Sequence, residues 1–156
     1  MKVRIIQRKD GGISIVHPAP KSKREDETEE QWLDRVFAKA TPKRAIFEDI
    51  DKSKVPLDRT FREAWTHNGR GIEIDMPKAK AIHVERWRLA RKPLLDALDV
   101  EYMRALEDGN TVKMAELKAK KQALRDVTKI DLLVVTTPDE LKKVWPEILN
   151  GLAKPV

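Results

Sequence analysis

Three histidines, His17, His67 and His83, are the side chains of this chain best suited to proton transfer or metal binding, and no two stand at metal-ligand spacing. His83-Val84-Glu85 has the His-x-Glu spacing of zinc deaminases, but that motif needs a pair of cysteines and the chain has none. His83 therefore reads as an ordinary helix-face residue. Glu48, Asp49 and Asp51 are close enough in sequence to share a magnesium ion. Acidic turns at strand ends are far more common as solvated surface, and nothing else here resembles a phosphoryl-transfer apparatus. Gly69-Arg70-Gly71 is too short to cradle a phosphate. No Gly-x-Ser-x-Gly is present, and no Ser, His and Asp set is singled out by spacing. The residues thus assign no catalytic group, no metal ligand and no cofactor, and point to a non-enzymatic protein.

With 156 residues, 40% of them hydrophobic and 37% charged, the chain can form one modest core, or two small ones, under a highly charged surface. The absence of cysteine removes disulfides and thiolate chemistry and fits a reducing compartment. No apolar run reaches the length of a membrane span, and the first residues lack the apolar stretch of a signal peptide. The net charge of +6 raises nucleic acid as a partner. Basic and acidic residues are interspersed, however, and the excess gathers at Lys78–Lys92 and Lys113–Arg125, where helical patterns make exposed lysine and arginine ordinary solvated faces. A basic nucleic-acid-binding accessory protein is the second reading, not the first.

The elements expected around these residues are α+β. Val3–Gln7 and Ile13–Val16 are β-branched runs flanking Lys9-Asp10-Gly11-Gly12, a hairpin signature ended by His17-Pro18-Ala19-Pro20. Lys21–Glu30 is a charge block leading into a helix, with Thr28 and Gln31 spaced as a capping box. Trp32, Leu33, Val36 and Phe37 form its apolar face, and Ala40-Thr41-Pro42 stops it. An extended segment covers Arg44–Asp51. Asp58 is placed to cap a short helix over Arg59–Trp65 that carries Phe61, Ala64 and Trp65 on one side. Asn68-Gly69 marks a turn, and Ile72 and Ile74 alternate with Glu73 and Asp75 as a strand.

The longest helical pattern runs from Met76 to Glu107, about 48 Å at 1.5 Å per residue, with a kink expected at Pro93. Asp108-Gly109-Asn110 breaks it. A second helix over Thr111–Asp126 completes an αα-hairpin, with Val112, Leu117, Ala123, Leu124 and Val127 expected buried. Ile130–Val135 has the length and composition of a strand. Pro138 opens a last helix expected to carry Trp145–Leu149, and Lys154–Val156 reads as a frayed tail. The division expected is a small α+β region over 1–50, a region with the αα-hairpin over 51–128, and an extension over 129–156.

Two blocks carry a family resemblance. Val55-Pro56-Leu57-Asp58-Arg59-Thr60-Phe61-Arg62-Glu63-Ala64-Trp65, followed by Ile74-Asp75-Met76-Pro77-Lys78-Ala79-Lys80-Ala81-Ile82-His83, resembles the phage tail assembly chaperone-like family of tailed phages and prophages. Arg91-Lys92-Pro93-Leu94-Leu95, Leu98-Asp99-Val100-Glu101 and Lys121-Gln122-Ala123-Leu124-Arg125-Asp126-Val127-Thr128 extend the likeness over residues 47 to 128, about half the chain. The resemblance implies a phage tail-region protein acting through protein contacts. It would be either a transient assembly factor in the host cytoplasm or a minor component of the virion tail tip, baseplate or fibre attachment. Phage tail proteins and further copies of the chain are the expected partners. Phe61, Trp65, Ile82, Trp87, Tyr102 and Trp145 are the expected partner-binding residues, because large apolar and aromatic side chains dominate interface hot spots.

Overall fold

The computed structural model describes residues 1–151. The chain is α+β and divides into two compact units, Met1–Asp75 and a helical unit that begins at Met76. The break therefore falls where the long helix starts rather than at the expected limits near residues 50 and 128. The frayed tail expected at Lys154–Val156 lies outside the described residues.

In the first unit, β1 (Lys2–Gln7) pairs antiparallel with β2 (Ile13–Val16) and with β3 (Phe47–Asp51), giving the order β2-β1-β3. Gly11 makes the first turn possible: its φ of 79° is costly for any residue with a Cβ, and Asp10 Oδ1 accepts the Gly12 N–H at 3.0 Å. Alternation along β1 sends Val3 and Ile5 to one face, where Ile13, Ile50, Val55 and Trp65 close a core with them. A second hairpin supplies Trp65: β4 (Trp65–His67) pairs with β5 (Ile72–Ile74), placing Trp65 opposite Ile74. Burying this set supplies most of the driving force for the unit, at about 25 cal/mol per Å² of apolar surface.

Arg4 lies on the other face of β1 and is the main polar fastening of the unit. Its Nε and Nη2 donate to the two oxygens of Asp49 at 2.6 and 2.7 Å, across the register that pairs these residues on β1 and β3. The guanidinium sits 4.6 Å from the Phe37 ring centroid and 4.0 Å from that of Phe47, and Nη1 donates to Thr41 Oγ1 at 3.2 Å. Phe37 belongs to α1 (Glu29–Ala40), so one side chain ties helix to sheet. The bond to Asp49 raises the Arg4 pKa above its ordinary value, against the opposing effect of burial.

The capping box at Thr28 and Gln31 forms as read, with Thr28 Oγ1 accepting from Gln31 N and Gln31 Oε1 accepting from Thr28 N. The preceding charge block is fastened to α1. Trp32 Nε1 donates to Ser22 Oγ at 2.9 Å, and Arg35 bonds the Glu27 carboxylate, holding its pKa down to about 2.

The helical unit opens with α2 (Met76–Glu107), one uninterrupted helix of 32 residues with Pro93 inside it. Pro93 faces solvent, so the Leu89 carbonyl it leaves without a helical donor is open to water. Gly109, at φ 63°, ends α2 in a Schellman motif: Asn110 N donates to Ala105 O at 2.8 Å and Gly109 N to Leu106 O at 3.1 Å. Asn110 then caps α3 (Thr111–Asp126) through Lys113 N. The antiparallel pair buries Ala105, Leu117 and Leu124.

Several expected elements differ. Arg59–Trp65 is not a helix. Only Arg62–Ala64 makes a single 3₁₀ turn, and Asp58 Oδ1 caps a tight turn at Thr60 instead. The strand pairing of Trp65 with Ile74, and its burial, outweigh the local capping signal. Ile130–Val135 forms no strand. It takes turns that bury Leu132 and Val135 and expose Leu133 and Val134. The last helix, α4 (Pro138–Lys143), stops short of Trp145 because Pro146 keeps its predecessor out of helical geometry, and a 3₁₀ stretch over Glu147–Gly151 follows. Val112 and Ala123 are exposed rather than buried.

Replacing Arg4 removes a bidentate ion pair and two ring contacts at once. Arg4→Leu is expected to lower the stability of the first unit by about 2 kcal/mol, measured by denaturant unfolding, and Arg4→Lys by less.

Candidate interaction surface

The residues expected to meet a partner fall into two groups. Phe61, Trp65 and Trp87 are buried by this chain itself, at 2%, 2% and 0% exposure, and serve as anchors of its folded units. Ile82, Tyr102 and Trp145 are half-buried. Phe61 and Trp65 belong to the first unit and the other four to the helical one.

Trp87 and Trp145 are joined by His83. The imidazole lies edge-on to the Trp87 ring with centroids 5.2 Å apart, and edge-on to Trp145 at 6.1 Å. Its Nε2 is 2.8 Å from the Val144 carbonyl oxygen, so Nε2–H donates to the loop that leaves α4. His83 is thus a buried core residue rather than an ordinary helix-face one, fixing the C-terminal segment to the first half of α2. Burial pushes its pKa below the ordinary histidine value, and the nearby Arg86 charge adds to this against the opposing bond to Val144. The only sequence signal for this role is its spacing, four residues before Trp87 on one helical face.

The second half of α2 is covered on one side by α3. Lys121 pairs with Asp99 and stands 5.1 Å over the Tyr102 ring, and Arg91 Nη1 reaches the Arg125 carbonyl oxygen at 2.9 Å near the end of α3. Tyr102 is thereby committed to the hairpin. On another side of α2, Leu89, Val100 and Met103 are exposed at 66%, 53% and 54%. Eleven residues make close to three whole helical turns, so Leu89 and Val100 lie on one line, with Met103 one turn beyond. Leu106 and Val112 add apolar surface at the hairpin tip. Sequence reading passed over Leu89 and Val100 because hot-spot composition favours aromatics, whereas the geometry of the hairpin decides which side chains are left uncovered.

Charge along α2 is polarised. Lys78, Lys80, Arg86, Arg88, Arg91 and Lys92 stand against Glu85 alone in the first half. Asp96, Asp99, Glu101 and Glu107 stand against Arg104 alone in the second. Among the described residues no group of three histidine, aspartate or glutamate side chains could hold a metal ion, and no helix is long and apolar enough to cross a membrane. Comparison with protein-family models, with curated proteins and with solved structures finds no match to this chain.

The depressed pKa of His83 sets a pH dependence. Well above the ordinary histidine pKa of about 6.5 the imidazole is neutral in both folded and unfolded chains, and the helical unit has its full stability. Below that, the unfolded chain takes up the proton first and stability falls until the folded imidazole protonates too. The unfolding midpoint is expected to drop as the pH falls through about 6.5, less so in His83→Gln, and the His83 ring resonances followed by NMR should titrate below about pH 6.5.

Proposed function

We propose that the protein works through protein–protein contacts in the tail region of a bacteriophage, as an assembly factor or a minor component of the tail, and that its first partner is a second copy of itself. The observation that carries the contact reading is the line of Leu89, Val100 and Met103, uncovered apolar side chains on the longest helix of the chain. The assignment to a phage tail rests on the resemblance of the Val55–Trp65 and Ile74–His83 blocks.

A second copy is favoured by charge. Two α2 helices laid antiparallel set the basic half of each against the acidic half of the other, with Leu89 of one copy beside Val100 of the other. A parallel pair would set like charges together. Burial of the apolar line, worth about 25 cal/mol per Å², would supply the affinity, and the charges would fix the direction. The rival reading, a nucleic-acid-binding accessory protein, draws on the Lys78–Lys92 face alone.

Light scattering at high micromolar concentration is expected to give a dimer that weakens as salt rises. Val100→Asp with Met103→Asp should return it to a folded monomer, its unfolding midpoint close to that of the wild type at concentrations low enough to dissociate the dimer, since both side chains are about half exposed already. A wild-type monomer under these conditions would remove the self-association. Mass spectrometry of purified virions separates the two tail roles: stoichiometric presence excludes a purely transient chaperone, and absence excludes a structural subunit. A gel shift with double-stranded DNA at low salt that survives these substitutions would favour the rival.

A further inference from the structure

A hollow of about 570 Å³ opens in the first unit between the outer face of the sheet and the end of α1. Its volume is that of pockets which take a small ligand or a few residues of peptide, roughly 300–1,000 Å³. The floor and one wall are aliphatic: Ile6 from β1, with Ala40, Pro42, Ala45 and Ile46. The rim is cationic, carrying Arg8, Lys9, Lys43 and Arg44, and no carboxylate lines it. Arg8 is already engaged with Asp10 at 3.1 Å. Lys9, Lys43 and Arg44 have no ion-pair partner among the described residues.

Arg44 adds an independent observation. Its φ is 64°, and it is the one described residue other than glycine with a positive φ. It stands third in a turn closed by Ala45 N donating to Pro42 O at 3.1 Å, a position that glycine or asparagine ordinarily fills. Keeping a guanidinium there costs backbone strain that a glycine would relieve, and strain of this kind gathers at binding sites. A basic residue is also favourable near the C-terminal end of a helix such as α1, but Lys39 in the last turn and Lys43 already serve that purpose.

We propose that this hollow binds an acidic peptide segment bearing an aliphatic side chain. The carboxylates meet Lys9, Lys43 and Arg44 on the rim, and the aliphatic side chain enters against Ile6 and Ile46. A nucleotide is the poorer occupant. No aromatic ring lines the hollow for a base to stack upon, and the one guanidinium held between rings nearby, that of Arg4, is already paired with Asp49. The site is built wholly from the first unit and does not rest on the α2 surface, so its failure and that of the self-association reading are separate results.

The test is fluorescence anisotropy of the full chain with a short labelled peptide of alternating glutamate and leucine, and with labelled oligothymidylate as the competing probe. The peptide is expected to bind, more weakly as salt rises, and Ile46→Asp is expected to abolish binding. Arg44→Gly is expected to weaken it about threefold, the worth of one rim charge, while leaving the unfolding midpoint unchanged or raised because the turn relaxes. Val100→Asp should leave it unaffected. Three results would overturn the proposal. The peptide fails to bind; or oligothymidylate displaces it and shows the same response to Arg44→Gly; or Arg44→Gly lowers the midpoint and leaves peptide affinity intact, which makes Arg44 a structural residue of the turn.

Discussion

A helix of 32 residues presents more surface than its short neighbours in a small unit can cover, and the helical half of this protein is arranged by that constraint. Helix α3 is 16 residues long and lies against the second half of α2. The first half is left for the chain that follows α3. That chain returns through Leu132, Val135, α4 and Trp145, and His83 bonds the Val144 carbonyl within it. The remaining side of α2 keeps Leu89, Val100 and Met103 in solvent. Pro93 fits the same arrangement. On a packed side its missing N–H would leave a buried carbonyl unpaired at a cost of about 1–3 kcal/mol, whereas on the open side water takes the donor's place.

The first unit meets a different constraint, a three-stranded sheet whose two faces must both be covered by short elements. One face is closed by the β4–β5 hairpin through Trp65 and the isoleucines, an ordinary apolar solution. The other is closed by α1 around a charged group. Arg4 is tolerated there because its flat guanidinium satisfies two requirements together: its edge meets the Asp49 carboxylate, and its faces lie against Phe37 and Phe47. A lysine could satisfy only the charge. The same face runs on to Ile6 and the hollow beside it, where Lys9, Lys43 and Arg44 have no ion-pair partner among the described residues.

What was legible in the sequence follows the range of the interactions concerned. The capping box at Thr28 and the limits of α3 were readable because each is decided within a few residues. The β1–β2 hairpin was readable from Asp10-Gly11 and the β-branched runs that flank it. The segment over Asp58–Trp65 was misread because its local signals, a capping aspartate and apolar residues three and four apart, agree with a helix. Trp65 is instead claimed by Ile74, nine residues on, and by a core that includes Val3 and Ile50. Ile130–Val135 was misread on composition alone: the residue types of a strand also serve as buried contacts in turns, as Leu132 and Val135 show beside the exposed Leu133 and Val134. The buried tryptophans show the limit for function. Composition marks Trp65 and Trp87 as strong contact residues, and only the fold shows that this chain has already used them.

The polarity of α2 is the feature its own fold explains least. A helix is stabilised by acidic groups at its start and basic groups at its end; α2 has Arg104 in its last turn but no acidic residue in its first, and most of its basic residues lie in its first half. Each charge misplaced near an end costs about 0.3–1 kcal/mol unless something nearby compensates. For the acidic half the compensation is visible, since α3 brings Lys121 to Asp99 from a strongly basic helix. In the basic half two pairs are visible. Arg88 pairs with Glu85 and Lys92 with Asp96, but both pairs are exposed and contribute little. An unfavourable charge order on the one helix that also keeps an apolar line in solvent is what a self-complementary surface requires. The same residues that weaken the isolated helix supply the matching half for an antiparallel copy, and the cost within one chain is offset between two.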